Sequence, residues 1–477
     1  MNDDWTAGFQ AGVEQAANGY APQIAALQAR IAELESELAQ LKAQQAQPQS
    51  RPPKTSQNSS LPPSSDPPSA PKRRRKGASG RKRGAQKGHP GHARVMLQSD
   101  EVDVVVDHHP RQCADCQAVL SPDQPDVAPP IRHQIWELPP VKPIVTEHRR
   151  HTVECPGCHR PVTAPDTDVP KGGFGVRATA TAAVLHGRWR LSLRETATVL
   201  DVVCGLPVSV GGVARMCRET SNALAKPDAD IAEQVRAESV ANVDETSWRQ
   251  AGKRPWIWVM RGQTASLFRV LPRRNSESLK ELLGPNWQGT VISDRFSAYK
   301  CLPVEKRQVC WAHLKRDFQS FADWGGVVGK WGKELLKIEQ DVFQEWHRFR
   351  DGPIDRVALL EALKPTQDKM RKLLEEGLNH GTSEGFCREL LALWPALWAF
   401  AEREGVEPTN NGAEQDLRPA VLWRAGCFGA FSDWGNQFVE RILSLSATCR
   451  RRRANLLGTV VDALAAWRAT AVQTHPT

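Results

Sequence analysis

Three acidic residues sit in contexts suited to metal-bound carboxylates: Asp244 in VANVDETSW, Asp294 in GTVISDRFSAY and Glu414 in TNNGAEQDLRPAV. Each aspartate closes a short apolar run, which predicts a carboxylate at the exposed tip of a buried strand. Glu414 opens a helical-looking segment. Two strand-borne aspartates and a helix-borne glutamate supply the oxygen donors that a pair of hard divalent cations, Mg2+ or Mn2+, needs for work on a phosphodiester. Either aspartate could bridge two such ions. Nearby acids are separated from the set by geometry. Glu245 points to the opposite face of a strand, and Asp416 lies about 200° around a helix from Glu414. Arg418, one turn beyond Glu414, is placed to pair with it or with a substrate phosphate. The chain holds 54 Asp and Glu residues, so context rather than spacing carries the choice.

The elements that must position these acids read as strands from 238 to 300: SVANVDETS, PWIWVMRG and ASLFRVLP, then a helix SESLKELLG and a further strand GTVISD. Three strands, a helix and a fourth strand, with aspartates on the first and fourth, predict the first part of an RNase H-like α/β core over 236–320. A helical insertion follows over 321–405. Its Trp324, Trp331, Trp346, Trp394 and Trp398 are expected to fill a helical core rather than stack on bases. Residues 406–477 complete the core and end in helices bearing Arg450 to Arg453.

Upstream, residues 1–45 form an N-terminal helix. Ile24, Leu27, Ile31, Leu34, Leu38 and Leu41 make an a/d seam over 24–41, the pattern of a short coiled coil that pairs subunits, or of an amphipathic helix packed on its own chain. Residues 46–92 read as a disordered Pro/Ser-rich linker and basic arm. The arm carries Lys72, Arg73, Arg74, Arg75, Lys76, Arg81, Lys82, Arg83 and Lys87, which account for the whole net charge of +9. So concentrated a charge fits attraction to a DNA backbone, although a solvated linker or a localisation signal has the same composition. Residues 93–170 hold Cys113, Cys116, Cys155 and Cys158, a paired CxxC that predicts one structural zinc ion closed by strands such as EVDVVVDHH and IRHQIWEL. Residues 175–228 read as helices with a Gly-Leu-Pro turn and a second start near Ser209, either a DNA-reading helix-turn-helix or a helical hairpin.

Composition excludes other classes. At 477 residues, two to four domains are expected. No apolar run reaches the roughly 18 to 20 residues of a membrane span, and MNDDWTAGFQ lacks the plan of a signal peptide, so a cytoplasmic, DNA-associated protein is expected. Eleven cysteines in such a chain point to metal ligation and burial rather than disulfides.

With these pieces in order, the chain resembles the DDE transposases of the insertion-sequence-sixty-six family. The resemblance rests on NSSLPPSSD, the basic arm running into GAQKGHPGH, the paired CxxC unit, VDET, SDRFSAY, CWAHLKRDF and TNNGAEQDLRPAV, and it spans nearly the whole chain. It implies that Asp244, Asp294 and Glu414 are the catalytic triad and bind two Mg2+ (or Mn2+) ions. It also places Cys310 and His313 in a Cys-x-x-His element that steadies the active site or the DNA, His313 being otherwise a packed helix residue. The activity implied is metal-dependent cleavage at the element's ends and strand transfer to target DNA. The implied partners are terminal-repeat and target DNA, further copies of the chain in a dimer or higher oligomer, and small companion proteins of the same element. One departure is the tail, ATCRRRRANLLG, whose arginines replace smaller or mixed residues. Competing readings are a non-catalytic DNA-binding protein derived from a transposase and a stand-alone nuclease.

Overall fold

A computed structural model describes residues 3–46, 53–59, 66, 94–165, 169 and 172–473. The basic arm at 72–87 and the GHPGH segment lie outside the described residues. The chain is a mixed α+β, multidomain protein that divides into two units. One comprises Met1–Ala70, His148–Leu200 and Pro207–Thr477, and the other Pro71–Glu147 with Asp201–Leu206.

The smaller unit is built mainly from turns. Segments expected as strands, 101–109 and 131–138, pair with no neighbour among the described residues, and Val104, Val105, Val106, Ile131, Ile135 and Leu138 are exposed. Apolar alternation predicts a strand only when a ladder partner exists to receive the backbone groups. Here the order is local. Gln134 accepts from Leu97 N–H at 2.8 Å and donates to Leu97 O at 3.0 Å, and Arg94 lies over the Trp136 ring.

In the larger unit, helix α1 (Asp3–Ala46) contains the whole a/d seam. Ile24, Leu27, Ile31, Leu34 and Leu38 are all exposed along it. The linker contains an unexpected folded clip. Asn58 Oδ1 accepts from Thr55 N–H at 2.7 Å, its Nδ2 donates to Pro53 O and to Asp323, and Asp66 accepts from Ser56 N–H and Oγ–H, both at 2.6 Å. Thr55 and Asn58 are buried. Residues 53–59 therefore correct the expectation of disorder over 46–92, because polar side chains here satisfy the backbone without an apolar core.

A short hairpin of β1 (Thr152–Glu154) and β2 (Pro161–Thr163) precedes four helices, α2 (Val176–Gly187), α3 (Leu193–Cys204), α4 (Val210–Ala223) and α5 (Ala225–Ala237). The start near Ser209 arises from a cap: Ser209 Oγ accepts from Gly212 N–H at 3.0 Å.

The sheet consists of β3 (Val240–Ser247), β4 (Trp256–Arg261), β5 (Ser266–Leu271), β6 (Thr290–Ser293) and β7 (Arg307–Val309), with α6 (Ser276–Leu283) between β5 and β6. Its order is β5-β4-β3-β6-β7. The first three strands form an antiparallel meander, and β6 and β7 run parallel to β3. Then come α7 (Trp311–Ala322), α8 (Gly326–Arg350), α9 (Arg356–Gly377), α10 (Glu384–Ala392) and α11 (Trp394–Glu402), followed by α12 (Asn411–Cys427), α13 (Asp433–Arg452) and α14 (Leu456–Gln473). In the α7–α11 layer, Trp331 and Trp398 are buried and Trp346 and Trp394 pack against the same cluster, as expected of core tryptophans. No helix among the described residues is long and apolar enough to cross a membrane.

Edge strand β5 is closed by side chains from α13. Thr448 Oγ1, Ser444 Oγ and Glu440 Oε1, spaced four residues apart on one helix face, accept from the N–H groups of Ser266, Phe268 and Val270 at 3.2, 2.9 and 2.7 Å. Unpaired edge donors are thereby satisfied. Burial, reinforced by Asp228, pushes the Glu440 carboxyl up to about 7. A carboxyl raised in the folded state holds its proton there while the unfolded chain has lost it, so stability falls as pH rises from about 4.5 to about 7. Glu440→Gln keeps an acceptor for Val270 and is expected to flatten that slope, worth about 3 kcal/mol across the window. Urea unfolding at several pH values tests this; equal slopes in the two proteins would reject it.

Candidate active site

The register of β3 and β6 sets the first two acids side by side. Val240, Ala241 and Asn242 pair with Thr290, Val291 and Ile292. Two residues further on stand Asp244 and Asp294, on neighbouring parallel strands spaced about 4.8 Å apart. Asp244 is not at a strand tip as expected. It lies inside β3, which runs on to Ser247, and is uncovered on one side because β6 stops at Ser293. Asp294 follows that end, and its Oδ1 accepts from Phe296 N–H at 2.9 Å.

Glu414 is placed by the turn before α12. Asn410 Nδ2 donates to Val243 O at 2.8 Å, directly before Asp244, and Asn242 Nδ2 donates to Thr409 O at 3.3 Å. Asn410 N–H donates to the buried Cys310 Sγ at 3.1 Å, and Trp311 N–H donates to Pro408 O. At Gly412, an added Cβ would collide with the Arg261 guanidinium, so glycine leaves that side chain its place against α12. The TNNGAE segment is thus a backbone clamp that brings Glu414, in the first turn of α12, to the strand bearing Asp244.

All three acids line one cleft of about 750 Å3, together with Arg274, Arg295, His313, Arg316 and Arg424. Burial holds the Asp244 carboxyl well above the usual carboxylate range, and the neighbouring Glu245, Asp294 and Glu414 raise it further. Among the described residues, no three His, Cys, Asp or Glu side chains converge closely enough to form a ready-made metal cage. The acids share a cleft and an electrostatic field but not a single point.

Several partners had no signal in spacing alone. Glu245 is buried, accepting from Tyr299 Oη–H at 2.6 Å and from Arg274 Nε–H at 2.6 Å. Arg274 Nη2 also lies 3.6 Å from Asp294 Oδ2, and its guanidinium lies 3.6 Å from the Phe296 ring centre. Arg295 pairs with Asp317 at 2.9 Å and with Glu389, tying the loop of the second aspartate to α7 and α10. The motif letters of VDET, SDRFSAY and HLKRDF are thereby explained, since Glu245 meets Tyr299 and Arg295 meets Asp317.

His313 Nε2 lies 3.8 Å and Arg316 Nη2 3.5 Å from Glu414 Oε1. Burial, then the Arg316 charge, lowers the imidazole to about 4, so it is neutral beside the acids. Cys310 and His313 thus divide the work, Cys310 fastening the turn and His313 lining the cleft. Of the two partners expected for Arg418, Glu414 is not one that it meets. Arg418 is exposed and makes no ion pair among the described residues, and Arg316 from α7 faces Glu414 instead. Asp416 turns away from Glu414 as expected, buried against Ser266, Arg450 and Arg451.

Each CxxC forms a tight knuckle of the same design. Gln117 N–H donates to Cys113 O and His159 N–H to Cys155 O, with Gln117 and His159 both left-handed at φ 58° and 52°. Backbone N–H groups aimed at sulfur, first from Cys116 and from Gly157 respectively, lower the thiols of Cys113 and Cys155. That favours the thiolate a metal takes. All eleven cysteines are free thiols.

Asp244 inside β3, Asp294 just past the end of β6 and Glu414 in the first turn of α12 thus share one arginine-rimmed cleft. Residues 171–438 match the model of the transposase IS66 family, and the chain belongs to that family. Residues 110–159 match the zinc-finger binding domain of transposase IS66, which supports a structural zinc and implies DNA binding. Residues 16–95 match a further family of unknown function, DUF6444. No curated protein matches the chain.

Proposed function

We propose that this chain cleaves the ends of an insertion sequence and joins them to target DNA, using Asp244, Asp294 and Glu414 on an RNase H-like core. The sheet order β5-β4-β3-β6-β7, with an antiparallel meander and two parallel strands, supports that core assignment. One observation carries the proposal. Asp244, Asp294 and Glu414, from separate segments, face one cleft, where burial, then Glu245, Asp294 and Glu414, raise the Asp244 carboxyl.

Carboxylates crowded closely enough to raise one another fit Mg2+ or Mn2+ well. Magnesium keeps most of its water and takes only one or two carboxylates, so a preformed cage is not required. Two such ions, when bound, stabilise the attacking and leaving oxygens of an in-line displacement. Asp244, Asp294 and Glu414 would hold them. Water attacks phosphorus and the P–O3′ bond breaks, leaving a 3′-hydroxyl and a 5′-phosphate. The 3′-hydroxyl then attacks a target phosphorus and displaces the target's own 3′-oxygen. Arg316 and Arg424, which line the cleft, would hold the DNA phosphates, and Arg274 bridges Glu245 and Asp294.

Outside the cleft, Cys113, Cys116, Cys155 and Cys158 would ligate one structural zinc ion. The nine basic residues from Lys72 to Lys87 would bind the DNA backbone. The exposed seam of α1 would pair copies of the chain as a coiled coil, and small companion proteins of the same element would join the assembly.

The test is movement of a marked element carrying its neighbouring genes, with wild type or Asp294→Asn. Movement with the wild type alone supports the proposal, and equal movement with both removes Asp294 from catalysis.

A further inference from the structure

Beyond the far end of α12 lies a surface that the cleavage chemistry does not use. Trp189 is 59 % exposed, and the Arg188 guanidinium lies 5.6 Å from its ring centre. Arg190 adopts a left-handed φ of 64°, and its carbonyl accepts from the Cys427 thiol at 3.4 Å, which ties the loop to the end of α12. On Phe428 and Phe431, immediately after α12, two more aromatic rings stand 62 % and 79 % exposed. Beside Trp189 opens a second cavity of about 320 Å3, walled by Val184, Leu185, Leu456 and Leu457 with Asn455 as a polar lining residue. Asn455 Oδ1 caps Gly458 N–H, leaving the amide Nδ2 to donate elsewhere.

Charge and shape select one kind of occupant. Burial, then repulsion from Arg450 and Arg190, depresses the Arg188 guanidinium, so converging cations stand beside an exposed indole and an apolar cavity. A phosphate relieves that repulsion, whereas an apolar or basic peptide does not. A nucleobase brings a flat face for stacking and a polar rim for one amide. We propose that Trp189 and its cavity hold an unstacked base of the bound DNA, with Arg188 and Arg190 on the adjoining phosphates. The site rests on the reading of DNA as substrate. Thirteen residues of α12 separate Cys427 from Glu414, about 20 Å at 1.5 Å per residue.

Fluorescence anisotropy of the full chain, in chelator, compares a short duplex with the same duplex carrying an unpaired tail. Wild type is expected to prefer the tailed DNA, and Trp189→Ala to lose that preference roughly tenfold. Trp189→Phe keeps a stacking face and should retain most of it. Should strand cleavage prove absent while the Trp189-dependent preference persists, this site stands and the proposed catalysis falls. A wild type indifferent to the tail overturns the site, as does a Trp189→Ala protein that binds both DNAs as wild type does or weakens equally on both.

Discussion

Asp244→Asn is expected to lower DNA-strand cleavage by roughly a hundredfold to a thousandfold, the scale of removing one preorganised charged group, while making the metal-free chain more stable. Both effects come from the same cause. Asp244 is raised above the usual carboxylate range by burial, Glu245, Asp294 and Glu414. A carboxyl raised in the folded state costs stability as pH climbs through its titration, because the unfolded chain releases that proton more readily. Asparagine keeps the shape and removes the charge, so the folded chain gains at neutral pH while a cation loses a ligand. An opposed pair of effects is the signature of a site held under strain for function. Cleavage assays and thermal unfolding in chelator, run on the same two proteins, read both. A variant that loses cleavage and also unfolds more easily would identify Asp244 as a structural residue.

Asp416→Ala should be strongly destabilising, by about 1 to 3 kcal/mol, because it removes the buried acceptor that Ser266 and three partly exposed arginines share. The Asp416 side chain is 2 % exposed. It accepts from Ser266 Oγ–H at 2.6 Å, pairs with Arg450, and lies 3.6 Å from Arg451 and 4.0 Å from Arg261. Arg261 in turn packs against Gly412, two residues before Glu414. Freed from Asp416, Arg261 would press on the clamp that aims Glu414, so cleavage should fall along with stability. Urea denaturation measures the first effect and a cleavage assay the second. Unchanged unfolding midpoints would show that the arginines find other partners and that Asp416 is dispensable. Two arginines of the tail's run, Arg450 and Arg451, are explained by this cluster, while Arg452 bonds Thr264 O and Gln234.

Much of the site was legible in the sequence because each acid stands in a distinctive local setting. VANVD and TVISD announce buried strands, and NNGAE announces a helix start. The strand series, the helical insertion and the Ser209 cap were readable for the same reason, since they depend on local periodicity and capping. Tertiary pairing was not. Arg418 has the right helical spacing to meet Glu414, yet Arg316, 98 residues away in the chain, faces it instead. Tyr299 and Glu245, 54 residues apart, form a pair that no pattern along one segment discloses. Alternation misled over 131–138, which has no partner strand among the described residues, and Pro/Ser-rich composition hid the clip at 53–59, whose order comes from Asn58 and Asp66 rather than from apolar burial.

The most direct test of the central claim, that Asp244, Asp294 and Glu414 hold divalent cations together, is oxidative backbone cleavage by Fe2+ substituted for Mg2+. Iron bound at the site generates hydroxyl radicals that cut the nearest peptide bonds. The account predicts cuts clustered near residues 244, 294 and 414, suppressed by added Mg2+ and absent from Asp294→Asn. Cuts that cluster elsewhere, or that persist unchanged in Asp294→Asn and in excess Mg2+, would contradict it.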